Sequence, residues 1–133
     1  MNRLLLIEDK KSLAEMLEEA LTSEGFSVEV ASTKKAGLRL FEEGERFAVV
    51  LTDLRLPDGD GIEILQKVVN EDPDCPVVVM TGYGTVENAV DAMKLGAADF
   101  IQKPVDLDHL VIVLRRCQER RALRHENLLL KAD

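Results

Sequence analysis

The sequence predicts an α/β fold: a five-stranded parallel sheet with helices on both faces. Three observations predict it. Short, near-continuous apolar runs alternate five times with stretches of helical periodicity, as strands buried on both faces require. Glycines at 25, 44 and 96 stand behind three of the helical stretches as stop signals. The apolar runs also end on charged or hydroxyl residues, which is where open α/β folds keep their chemistry.

The elements follow in order. Arg3 to Ile7 reads as a central strand stopping at Glu8-Asp9, and Leu13, Met16, Leu17, Ala20 and Leu21 then repeat at helical spacing. Phe26, Val28 and Val30 alternate with polar residues, as in a half-covered strand. Ser32 or Thr33 can cap a second helix carrying Ala36, Leu40 and Phe41. Phe47 to Leu51 is a continuous buried strand ending at Asp53, with a Pro-Asp-Gly turn signal at 57–59. A third helix carries Ile62, Leu65 and Val69 on one face. Pro76 opens a fourth strand, Val77 to Met80, ending at Thr81, and Val86, Ala89, Val90 and Met93 mark a fourth helix. Phe100-Ile101-Gln102 is a short fifth strand ending at Lys103-Pro104, and Asp106 can cap a last helix that starts with Leu107, Leu110, Val111 and Leu114. Right-handed crossovers leave few arrangements for five such units, of which the flavodoxin-like order 2-1-3-4-5 is the commonest at this size.

At 133 residues the chain is one domain with a short appendage. It has 46% apolar and 32% charged residues, an ordinary globular mixture. No apolar run approaches the roughly 20 residues of a membrane span, and acidic residues follow the first run too soon for a signal peptide. The net charge of −8 argues against nucleic-acid binding by the body of the domain. From Arg115 onward, six Lys/Arg against three Asp/Glu give a basic tail, leaving −11 on the rest. Cys75 and Cys117 match no metal or redox spacing, and a reduced cytoplasmic compartment is expected.

In the predicted fold all strand C-termini open on one edge. Glu8, Asp9, Asp53, Thr81 and Lys103 therefore converge there. Carboxylates about 5 Å apart repel by roughly 3 kcal/mol per pair at an effective dielectric near 20, so packing explains such a cluster poorly. Mg²⁺ suits one or two carboxylates with retained waters and a phosphate oxygen. Lys103 and Thr81 supply a point charge and a hydroxyl for phosphate oxygens. Asp53 is then the natural nucleophile for an aspartyl phosphate.

LLLIED, VVLTDLRLPDGDG, VVVMTGYGTVENAVDAMKLGAADF and IQKP together resemble the receiver (CheY-like) domain of two-component response regulators, over residues 2–117. The resemblance implies that Asp53 is the phosphoacceptor and Asp9 a direct Mg²⁺ ligand, with Glu8 acting through water and Arg55 through its backbone carbonyl. It assigns Thr81, Lys103 and the Gly82 amide to the phosphoryl group, and makes Thr81 and Phe100 the switch pair. A short strand also needs an aromatic such as Phe100 for core packing. The wording from Thr81 to Pro104 resembles the NtrC type, regulators of sigma-54-dependent transcription. That implies a receiver over 1–117 and a linker helix over 118–133, leading in the full-length protein to an ATPase and a DNA-binding domain. It also implies a sensor histidine kinase as partner and a homodimer through the last helix and linker, where Leu107, Leu114 and Leu128 share a heptad position with Arg121.

Two features depart from the family pattern: Glu8 stands where an aspartate is common, and Lys10 places a positive charge that either weakens the metal site or points into solvent. Tyr83 is either a partner-facing ring or an exposed loop residue, and His109 and His125 read as solvated helix residues. Three rival functions remain: a small phosphohydrolase, disfavoured by Arg55 where such enzymes carry a second aspartate; a nucleotide binder, disfavoured by the lack of a glycine-rich phosphate loop; and a phosphate-independent interaction domain.

Overall fold

The computed structural model describes residues 2–82 and 86–131; within the last helix the side chains of 121, 122 and 124–131 lie outside the description, as does that of 86. Five strands, β1 (Arg3–Ile7), β2 (Ser27–Ala31), β3 (Val49–Asp53), β6 (Val77–Thr81) and β7 (Asp99–Gln102), form one parallel sheet in the order β2-β1-β3-β6-β7. Counting only these strands, that is the expected 2-1-3-4-5. A two-residue hairpin the sequence reading did not contain, β4 (Arg55–Leu56) with β5 (Gly59–Asp60), projects after Asp53 from the Pro-Asp-Gly turn.

Helices α1 (Lys11–Ser23) and α5 (Leu107–Lys131) cover one face of the sheet; α2 (Lys34–Glu42), α3 (Gly61–Glu71) and α4 (Val86–Lys94) cover the other. Because side chains alternate along a strand, Leu4, Leu6, Val49 and Leu51 pack toward Leu17, Leu21, Leu110 and Leu114, whereas Leu5, Ile7 and Val50 pack toward Ile64, Leu65 and Val68. All residues of β3 and β6 are buried, as central parallel strands should be.

Capping follows the sequence signals. Thr33 accepts from the Ala36 N–H, and Asp106 from that of His109, at the starts of α2 and α5. Asp60, which the sequence reading passed over, caps α3 through the N–H groups of Ile62 and Glu63. Gly25 ends α1 at φ +95°, a conformation other residues rarely adopt.

The faces of α3 and α4 differ from their sequence assignment, and on α1 Met16 is exposed while Ala14 is buried. α3 buries Ile64, Leu65 and Val68, while Ile62 and Val69 sit at the margins of the packed face. Its rotational phase is set at Gly61, where a Cβ would collide with the Asp53 carbonyl oxygen and lie 3.1 Å from Leu54 Cα. α4 packs through Ala89 and Ala92, both wholly buried, and leaves Val90 and Met93 outward at 45% and 40% exposure. Small residues let this helix approach β6 closely, and the larger apolar side chains rotate away. α5 is continuous to Lys131, across the expected boundary at 117/118. Cys75 and Cys117 are both buried and form no disulfide, and burial pushes Cys117 up to about 11. No helix among the described residues is long and apolar enough to cross a membrane.

Candidate functional site

The expected residues meet at the C-terminal edge of the sheet. β1 delivers Glu8 and Asp9, whose chain is held to β2 by the Glu8 N–H donating to the Ala31 carbonyl (3.0 Å). β3 ends on Asp53, and its neighbour Leu54 donates to the Met80 carbonyl of β6 (3.1 Å). β6 ends on Thr81, whose carbonyl accepts from the Lys103 N–H at 2.7 Å and so fixes Lys103 just beyond β7. The Lys103–Pro104 peptide is cis.

Glu8, Asp53 and Thr81 are almost wholly buried, at 1%, 6% and 2% exposure. Asp9 is exposed, and one carboxylate oxygen from each of Glu8, Asp9 and Asp53 falls within 4.8 Å of the others. The Lys103 ammonium donates to Glu8 Oε1 at 2.6 Å and to Asp53 Oδ2. The remaining oxygens are met by main chain: Glu8 Oε2 accepts from the Lys10 N–H (3.1 Å) and Asp53 Oδ1 from the Arg55 N–H (3.0 Å). Lys10 is exposed.

Burial raises the pKa of Glu8, and the Asp53 charge adds to this, against the lowering effect of Lys103 and the Lys10 amide. For Lys103, burial pulls downward, but the hydrogen bonds to Asp53 and Glu8 outweigh it and the net shift is upward. The ammonium is therefore firmly protonated; Glu8 and Asp53 share it, and Asp9 completes the carboxylate cluster beside them. Hard oxygen donors from Glu8, Asp9 and Asp53, one of them open to solvent, fit a hard divalent cation.

A cleft of about 230 Å³ lies beside Asp53, bounded by Thr81, Gly82, Arg55, Asp60 and Asn88. That is several times the roughly 30 Å³ of one water, enough for a phosphoryl group with retained solvent. Asp60 and Asn88 were missing from the sequence reading. Asp60 carried a helix-start signal; Asn88 carried none, because which residues of α4 turn toward the cleft depends on its alanine packing. Phe100 lies one step before Ile101 on β7, half-buried against the core formed with α3 and α4. Tyr83 lies outside the described residues, as do the side chains of His125, Arg121 and Leu128; His109 is exposed as expected.

The family of the response regulator receiver domain matches residues 4–115. The chain belongs to this family. Regulatory protein AtoC of Escherichia coli is 35% identical over 125 residues, covering 94% of this chain and 27% of that protein. A putative response regulator described as NtrX-like, from Rickettsia felis, is 38% identical over 130 residues, with 96% and 27% covered. The receiver thus spans about a quarter of the length of these regulators. Among solved structures, a receiver domain protein from Clostridium thermocellum superposes with a TM-score of 0.88 at 32% identity, covering 92% of this chain and 98% of that one. NtrX from Brucella abortus gives 0.90 at 29% identity, covering 98% of this chain and 30% of that one. The receiver fold, and the placement of an acidic cluster at its sheet edge, agree with what the sequence resemblance implied.

Proposed function

We propose that this receiver accepts a phosphoryl group on Asp53 from a sensor histidine kinase. The single observation that carries the reading is Lys103 bridging Glu8 and Asp53 beside Asp9, with Thr81 on the same rim. An Asp53 carboxylate oxygen attacks phosphorus. The P–O bond forms as the P–N bond of phosphohistidine breaks, and the electron pair leaves on the imidazole nitrogen. Asp53 is preorganised for this, since the Arg55 N–H and the Lys103 ammonium hold its two oxygens in fixed directions. After transfer, Lys103, the Thr81 hydroxyl and the Gly82 amide bind the phosphoryl oxygens. Mg²⁺ would be held by Asp9 and Asp53 directly, by Glu8 through water and by the Arg55 carbonyl, and would supply neutralisation of the phosphoryl charge.

Thr81 then moves toward the new phosphoryl group and Phe100 follows, reshaping the face made by α4, β7 and α5. The element must have two states, one of which binds the phosphoryl group better. Residues 1–117 act as the receiver and 118–133 as the linker, through which a cytoplasmic homodimer changes packing. Similarity to AtoC and NtrX-like regulators supports the NtrC type, in which the receiver governs an ATPase and a DNA-binding domain of a sigma-54-dependent activator. The domain is a regulatory phosphoacceptor that assists its own phosphotransfer.

The test is transfer from an autophosphorylated, radiolabelled histidine kinase. Label should pass to the wild type and not to Asp53→Asn. Equal labelling of both proteins would place the acceptor elsewhere.

A further inference from the structure

The hairpin β4–β5 follows Asp53 directly, and its first residue, Arg55, donates its N–H to Asp53 Oδ1. Two paired residues per strand cannot hold a hairpin in place by themselves. Its position must come from outside. Leu56, paired with Gly59, is buried and anchors the first strand from below. The tip is fastened differently: the Asp58 carboxylate leaves its own hairpin and accepts from the N–H of Lys34 (2.7 Å) and of Lys35 (3.0 Å). These are otherwise unmet donors at the N-terminus of α2, 24 and 23 residues away. The N–H groups of Lys35 and Lys34 hold Asp58 below its ordinary pKa, so the capping group is a carboxylate at neutral pH. A second strap crosses the same tip. The Lys34 side chain lies over Gly59, where a Cβ would meet Nζ at 2.8 Å, and its ammonium pairs with Glu63 of α3 at 2.9 Å.

We propose that Asp58 is a positioning residue for the phosphoacceptor site: by capping α2 it fixes the hairpin, and with it the Arg55 main chain against Asp53. The inference rests on the reading of Asp53 as the acceptor only for its consequence in phosphotransfer. Its direct effect is on the Arg55 amide and on the metal site that shares this stretch of backbone. Thr33 provides the control, because its side chain caps the same helix from within, through the Ala36 N–H.

The experiment compares the full chain with Asp58→Ala, Asp58→Asn and Thr33→Ala. It measures hydrogen exchange of the Arg55 amide without ligand, Mg²⁺ affinity by titration of the metal alone, and phosphorylation by acetyl phosphate. Asp58→Ala should speed Arg55 exchange and weaken Mg²⁺ binding by about fivefold, the factor a lost cap typically corresponds to. Asp58→Asn, which keeps one acceptor oxygen, should fall between Ala and wild type. Thr33→Ala should leave both readouts at wild-type values while lowering thermal stability. If Asp58→Ala does not fold, Asp58→Asn decides on the same readouts. Wild-type exchange and affinity in the Asp58 variants, or equal losses in Thr33→Ala, would overturn the proposal. Failure of wild type to take up phosphate would defeat the acceptor reading alone, since the exchange measurement needs neither phosphate nor metal.

Discussion

Lys103 Nζ lies 2.6 Å from Glu8 Oε1, joining residues 95 positions apart across the sheet edge. Glu8 is 1% exposed and Asp53, the other carboxylate on the same ammonium, is 6% exposed. Two buried carboxylates and one lysine leave the group net negative even before the exposed Asp9 is added. The cluster is short of positive charge, which a bound cation would supply.

Removing the Lys103 charge should expose that shortage. Lys103→Ala is expected to lose about 3 kcal/mol of stability in EDTA, because it leaves two buried carboxylates unpaired. Mg²⁺ should narrow the gap, because the variant's folded cluster, one positive charge poorer, binds the cation more tightly than the wild type's does. Urea unfolding with and without Mg²⁺ measures both. Lys103 has its pKa raised in the folded state, so its contribution is fully present below the ordinary 10.5 and is lost as pH rises through the raised value. The wild-type advantage over Lys103→Ala should therefore persist through neutral pH and vanish only at strongly alkaline pH.

Glu8 carries the opposite consequence. Its carboxyl is raised above 4.5, so the folded protein binds its proton more tightly than the unfolded chain does. Its ionisation costs stability as pH rises through the raised value, and the cost is absent below 4.5. Glu8→Gln should melt above wild type at pH 7.5 in EDTA. The difference should shrink toward zero by pH 4.5. A pH series of thermal melts decides it; a constant or reversed difference would mean that Lys103 compensates Glu8 fully.

Gly61 and Gly37 are both buried glycines with different neighbours. At Gly61 a Cβ meets backbone, the Asp53 carbonyl and Leu54 Cα; at Gly37 it meets the end of a side chain, Ile7 Cδ1 at 2.5 Å. Gly61→Ala should cost more than about 2 kcal/mol and weaken Mg²⁺ binding, since the obstruction falls on the acceptor strand. Gly37→Ala should cost less, because Ile7 can turn aside and alanine favours the helix. Urea unfolding of both variants ranks them.

The outer face of α5 bears on the proposed homodimer. Ile112 and Leu123 are 50% and 61% exposed. Leu123→Asp should change monomer stability by less than about 0.5 kcal/mol and weaken self-association measured by sedimentation equilibrium. Unchanged association would move the interface off this part of the helix.

Much of this was legible in the sequence because the signals were local. Buried parallel strands leave continuous apolar runs, and four of the five strands ended on a residue whose chemistry named the edge. Thr33 and Asp106 announced their helices by type and position. What stayed hidden depended on neighbours distant in sequence. The phase of α3 is set by Gly61 against the Asp53 carbonyl, and the outward turn of Val90 and Met93 by the close seating of Ala89 and Ala92. Asp58 read as a turn residue, and only the fold brings it to the start of α2. Asn88 reached the cleft by the same rotation of α4.

The central claim is that Asp53 accepts a phosphoryl group in a site completed by a divalent cation. Intact mass after incubation with acetyl phosphate, with Mg²⁺ or with EDTA, on wild type and Asp53→Asn, tests it most directly. The expected result is one phosphoryl adduct on wild type with Mg²⁺, and none in EDTA or on Asp53→Asn. An adduct that survives Asp53→Asn, or no adduct on wild type with Mg²⁺, would contradict it.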